Sequence, residues 1–111
     1  MKKIAIEMST GLRQAFKAAC AVNNISMKDA LIAEVNDILE YNETCYDTSR
    51  PKMGDGMCVL CLNIDEDFFN KVKQRKEVYG DKIRDVYITA IINYLLQNYS
   101  SYDYSVDINE V

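Results

Sequence analysis

The sequence contains no histidine, a single proline (Pro51), four glycines and no apolar run near the roughly 18–20 residues that would cross a membrane. Each scarcity excludes something. Without histidine, the commonest general base and the commonest nitrogen ligand for zinc are both missing. With four scattered glycines there is no glycine-rich loop to cradle a phosphate. No serine or cysteine stands beside a base in a pattern that would activate it. The adjacent carboxylates Asp65, Glu66 and Asp67 are explained by helix capping. The residues therefore point away from an enzyme and imply no cofactor. The opening stretch MKKIAIEMS lacks the apolar segment of a secretion signal, so the expected compartment is the cytoplasm.

Four cysteines are present, Cys20, Cys45, Cys58 and Cys61. Cys20 falls on the apolar side of a helix and reads as a small core residue. Cys58-Val59-Leu60-Cys61 has the spacing that can begin a zinc site. It lies in a strand pattern, however, where positions three apart face opposite ways, and no second such pair exists. No metal site is expected.

What is present is a repeat. Displaced by 56 positions, the chain superimposes its apolar residues without a gap: Ile4, Ile6 and Met8 fall on Leu60, Leu62 and Ile64, and Leu12 and Phe16 on Phe68 and Val72. Further on, Met27, Ala30, Leu31, Val35, Ile38 and Leu39 fall on Ile83, Val86, Tyr87, Ile91, Tyr94 and Leu95. Identity is poor, but hydrophobic spacing, which sets secondary structure, is kept.

Each copy reads as strand, helix, helix. Lys3–Ser9 alternates, with Ile4, Ile6 and Met8 on one face and Lys3, Ala5 and Glu7 on the other. Ser9 is positioned as an N-cap for a helix bearing Leu12, Ala15, Phe16 and Ala19, which Asn23-Asn24 stops. Ser26, with Asp29 three residues on, opens the next helix. In the second copy Cys58–Asn63 is the strand, with Leu60, Leu62 and Ile64 inward, and Asp65 the cap. Phe68, Val72 and Tyr79 mark the first helix, Gly80-Asp81 ends it, and Ile83 to about Asn98 is the second. The cationic run Lys71, Lys73, Arg75 and Lys76 spreads around its helix and reads as a solvated face.

The expected division is a first unit over 1–40, a connector over 41–57 holding Pro51, Gly54 and Gly56, a second unit over 58–98, and a tyrosine-rich acidic tail over 99–111 that is loosely held. The connector reaches roughly 50 Å at about 3.3 Å per residue, enough to lay the second strand antiparallel beside the first. One strand cannot satisfy its own hydrogen bonds and two short helices have too little core, so the units are expected to pair strand to strand under four helices. The fold class is mainly α with a short two-stranded antiparallel ribbon, two β-α-α units forming one pseudo-symmetric domain. Loop length leaves open pairing within one chain or exchange between two.

Strand, helix, asparagine or glycine turn and capped helix together resemble the ribbon-helix-helix fold of the Arc and MetJ repressors, over 3–40 and again over 59–96. Two copies in one chain resemble the tandem TraY-type plasmid transfer proteins. The resemblance implies a DNA-binding protein, a transcriptional regulator or accessory factor on plasmid or phage DNA, whose ribbon enters the major groove. By the same resemblance the base-reading face is Lys3, Ala5, Glu7, Val59, Cys61 and Asn63. The phosphate clamps are Ser26, Met27 and Lys28, and Lys82, Ile83 and Arg84, at helix N-termini. The partner is then double-stranded DNA, with a homodimer bridging two sites through the helices.

Charge argues differently. The net charge of −4 comes from the connector and tail; residues 1–40 hold five basic and five acidic groups, and 58–96 six of each. A basic footprint is absent, and on the reading face only Lys3 and Asn63 are conventional base contactors. The alternative is a protein-binding module on the same fold, docking through the neutral face or the acidic tail: a phage inhibitor of a host defence complex, or an antitoxin-like partner.

Overall fold

A computed structural model describes residues 1–48, 56–98 and 101–109. Its elements run β1 (Lys2–Ser9), α1 (Thr10–Val22), α2 (Met27–Tyr41), β2 (Met57–Ile64), α3 (Glu66–Tyr79) and α4 (Ile83–Gln97), followed by a short 3-10 turn, Tyr104–Asp107. β1 and β2 form a two-stranded antiparallel sheet paired from Lys2↔Ile64 to Ser9↔Met57. The chain is thus mainly helical with one ribbon, and the two strands pair within it. Pro51 and Gly54 of the connector lie outside the described residues. No helix among the described residues is long and apolar enough to cross a membrane.

Local signals in the sequence explain the element ends. The Ser9 hydroxyl accepts from the Leu12 N–H at 3.1 Å, and the Ser26 hydroxyl from the Asp29 N–H at 3.0 Å, each satisfying one orphan donor of a first turn. Asn24 and Asn42 take left-handed backbone after α1 and α2, and Gly80 does so after α3, its N–H donating to the Lys76 carbonyl at 2.9 Å. Asp65 departs from expectation. Its backbone is that of an N-cap, but its exposed carboxylate makes no capping bond and stays in water.

The core is a layer of helices against one face of the ribbon. Ile4, Ile6, Met8, Leu60 and Ile64 are buried there, while Leu62 is half-buried. Beneath them lie Leu12, Phe16 and Cys20 of α1, Leu31, Val35 and Ile38 of α2, and Phe68 and Val72 of α3. α4 is the central helix. Every residue from Asp85 to Ile92 is buried, so it is enclosed on all sides rather than amphipathic.

Three expectations fail, each for a packing reason. Tyr79 is 55 % exposed, because the buried stripe of α3 runs Phe68, Val72, Arg75 and the helix then clears the core. Arg75 is not part of a solvated face: it is 6 % exposed and reaches across to the end of α2. The tail is not loose over 101–109. Tyr102 bonds both Ser9 and Asp107, Tyr104 packs against Tyr46, and Ile108 forms a β-bridge with Thr48. Its aromatic and aliphatic side chains cover the partly buried start of α1 and the connector, which acidic composition alone did not suggest. A Cβ on Gly11 would meet Cε2 of Tyr102 at 3.1 Å, so the tail sits tightly on that turn.

Glu34 is an unexpected buried acid on α2, 6 % exposed, whose Oε2 accepts from Gln97 Nε2 at 3.1 Å. Burial raises its pKa above the ordinary glutamate value, with the charges of Asp37 and Glu43 adding to the rise and the Gln97 hydrogen bond opposing it. A raised acid pKa means that the folded state holds the proton more tightly than the unfolded state. Its ionisation therefore destabilises the fold as pH climbs from the ordinary value of about 4.3 through the folded-state value. Glu34→Gln keeps the acceptor for Gln97 and removes the charge. The expected result is a higher Tm than wild type at pH 7, converging with wild type near pH 4. An equal Tm offset at both pH values would assign the effect to packing.

Candidate nucleic-acid interface

The ribbon offers one face to the helices and the other to solvent. Lys3, Ala5, Glu7, Val59, Cys61 and Asn63 are all exposed, because strict alternation along each strand places them opposite the buried set. The register joins them as three cross-strand pairs, Lys3↔Asn63, Ala5↔Cys61 and Glu7↔Val59. The six residues singled out as a reading face are therefore one contiguous surface. Cys58 falls on the other face, where its thiol lies 3.7 Å from the Ser9 carbonyl, so the two thiols of this pair diverge.

The ladder also fixes which backbone groups are used. The Thr10 N–H donates to the Gly56 carbonyl at 3.0 Å, one pair beyond Met8↔Cys58 in the same alternating series. Hydrogen-bonded and non-hydrogen-bonded pairs alternate in an antiparallel ladder. The bonded pairs are thus Lys2/Ile64, Ile4/Leu62, Ile6/Leu60 and Met8/Cys58, and the three outward pairs are non-bonded ones. The N–H and C=O groups of Lys3, Ala5 and Glu7 consequently point to the outer edge of β1. Arg84 agrees with this assignment, since its Nε donates to the Glu7 carbonyl at 3.0 Å from the far side of the strand.

The two helix N-termini expected as phosphate clamps are unlike. At α2, Ser26 is exposed and occupied in capping, and Met27 and Lys28 are half-buried. At α4, Lys82 is exposed and Ile83 half-buried, while Arg84 is drawn into the structure. Besides Glu7, it donates through Nη1 to the Thr48 hydroxyl. That hydroxyl donates in turn to Asp85 Oδ1 at 2.6 Å, and the Thr48 N–H donates to the same oxygen at 3.2 Å. Asp85 is buried, and the Tyr46 N–H donates to Thr89 Oγ1 at 2.9 Å one turn on. Connector residues 46–48 thus strap the start of α4, and Ile108 and Asn109 hold the strap in place. The sequence displays Arg84 as a clamp cation; it gives no sign that the connector and β1 engage it, because the partners are some 36 and 77 positions away.

Beside β1 runs a groove of about 470 Å³ lined by Lys2, Lys3, Glu7, Phe69, Ile83, Arg84 and Tyr87 among others. Lys2 Nζ stands 5.1 Å from the centre of the Phe69 ring, a cation–π contact. Tyr87 is 2 % exposed, and its hydroxyl finds no hydrogen-bond partner among the described residues. Burial pushes its pKa up to about 12, so it is a neutral donor across the working pH range. Nothing in the apolar spacing of α4 flagged this tyrosine, which reads there simply as core.

Set against models of known protein families, curated proteins and solved structures, the chain matches none of them.

Proposed function

We propose that this chain is a DNA-binding protein of the tandem ribbon-helix-helix kind, a regulator or accessory factor whose two-stranded ribbon enters the major groove. The observation that carries this reading is the outward face of the ribbon. Its three cross-strand pairs centre on Ala5↔Cys61, residues separated by the same 56 positions that relate the two repeats. A register centred on that pair supports a pseudo-twofold reading of the two units. A two-stranded ribbon fits the roughly 12 Å width of the major groove. Lys3 and Asn63 then contact base edges, Ala5 meets a thymine methyl, and the starts of α2 and α4 approach phosphates. Because the paired residues differ, the half-site is asymmetric.

Two cations at the helix starts, half-exposed Lys28 and exposed Lys82, serve the phosphate contacts. Two phosphate contacts give a log–log salt slope near −1.8, so affinity for random duplex should fall about 12-fold between 50 and 200 mM salt. Fluorescence anisotropy measures this directly. Lys28→Ala should flatten the slope by about one unit, while Asn63→Ala should relax sequence preference with the slope unchanged. No binding at 50 mM salt rejects the DNA reading.

One observation favours a second reading. The outward face holds one cation, one anion and four neutral residues, with Val59 47 % exposed, and Arg84 is engaged by backbone and threonine oxygens. A neutral, partly apolar face is suited to a protein surface. On this reading Val59→Glu abolishes capture of a protein partner, and duplex DNA does not compete.

A further inference from the structure

We propose that the free edge of β1 docks an extended acidic peptide, which joins the ribbon as a third strand. This edge is distinct from the outward face, and the inference does not depend on what that face binds. Four observations meet there. Among the described residues the sheet has two strands, and none of them pairs with the outer edge of β1. The ladder parity turns the N–H and C=O of Lys3 and Ala5, and the N–H of Glu7, toward that edge; among the described residues only the Glu7 carbonyl is taken, by Arg84. A groove lies along the same edge, with Phe69, Ile83 and the buried, unpartnered Tyr87 in its lining. Its charged lining is Lys2, Lys3 and Arg84 against Glu7 alone.

Unpaired strand edges recruit strands, and natural proteins usually blunt them. Here two lysines stand at the start of the edge, which deters a basic or self-complementary strand and admits an acidic one. An added strand would have its own alternation. One set of side chains would lie over Phe69 and Ile83 and should be apolar. The other would stand beside Lys3 and should be acidic toward the Lys2–Lys3 end. Main-chain bonds to Lys3 and Ala5 would supply affinity, and the groove would select side chains, as in other strand additions.

The probe is an N-acetylated, C-amidated heptapeptide of alternating valine and glutamate, titrated into the isotopically labelled full chain and followed by amide chemical shift and hydrogen exchange. The expected result is saturable shifts and exchange protection centred on Lys3, Ala5 and Glu7. The valine–lysine heptapeptide should bind about tenfold more weakly, since two rim charges change sign of interaction. N-methylation of alternate probe nitrogens should abolish binding. The double change Lys2→Glu and Lys3→Glu, at exposed positions, should reverse the preference between the two peptides. No shift at millimolar probe overturns the proposal, as does a response centred on Val59, Cys61 and Asn63. Protection that grows with protein concentration without probe would assign the edge to a second copy of the chain. Shifts produced by duplex DNA but not by peptide would assign it to nucleic acid. Either result rejects the peptide.

Discussion

Replacing Arg75 by alanine is expected to destabilise the protein by about 3 kcal/mol, a large share of the 5–15 kcal/mol typical of a domain this size. The side chain is 5 % exposed and is used on every side. Nε donates to Asp81 Oδ2 at 2.9 Å, and Nη1 to the Ile38 carbonyl at 3.1 Å. Nη2 donates to the Glu43 carbonyl, and Tyr79 stacks with its ring centre 4.7 Å from the guanidinium carbon. Ile38 lies in the last turn of α2, so the cation also sits at the negative end of that helix. One side chain of α3 thereby fixes the end of α2, the following residues and the α3–α4 turn. Alanine would leave a carboxylate and two carbonyls without this partner, and only Asp81, 25 % exposed, can regain water easily. Lysine has the charge but not the planar fork and should recover only part of the loss. Urea denaturation should show the midpoint falling by 1 M or more for Arg75→Ala, at an m-value of about 1–3 kcal/mol per M. Lys71→Ala, on the exposed side of the same helix, should shift stability by less than about 0.5 kcal/mol. Equal effects at the two positions would show that Arg75 is not the junction described here.

Arg75 also marks where sequence reading stops. Local features were legible because their causes are local. Alternation in Lys3–Ser9 gave the strand and its two faces, and Ser26 with Asp29 gave the α2 cap. Spacing at 56 residues brought the two strands together with the six outward residues on one surface. What stayed hidden depends on partners distant in sequence. Arg75 looks like its neighbours Lys71 and Lys73 until the end of α2 is placed beside it. Arg84 looks like an available cation until Thr48 and the Glu7 carbonyl arrive. The tail looks like solvated acid until Tyr102 finds Ser9, 93 positions earlier. Composition assigns such residues to the surface on average, and tertiary contacts decide the individual case. The free edge of β1 belongs to the same class: strand pattern predicts a strand, but only register shows which backbone groups it leaves unpaired.

Phe16→Ala is expected to cost about 4 kcal/mol and to unfold both repeats together. The ring is fully buried on α1 and meets Tyr94 of α4 edge to face, with centroids 5.6 Å apart at 84°. Deleting it removes apolar burial and leaves a cavity between helices of different repeats. The position 56 residues later is Val72, also fully buried. Val72→Ala removes fewer atoms and should cost about 2 kcal/mol. If the ribbon and α4 tie the halves into one core, the two variants differ in magnitude but not in kind. Each should show a single transition, coincident by far-UV circular dichroism and by fluorescence of the eight tyrosines, with an unchanged m-value. Hydrogen exchange should then report loss of protection in β1 and β2 to the same extent in both variants, since each strand's bonds are made by the other. A biphasic transition, with Phe16→Ala weakening only the first half and Val72→Ala only the second, would mean that each β-α-α unit holds its own core and that the ribbon merely joins them. The enclosure of α4 from Asp85 to Ile92 argues against that outcome, because a helix buried on every side has no independent half to belong to.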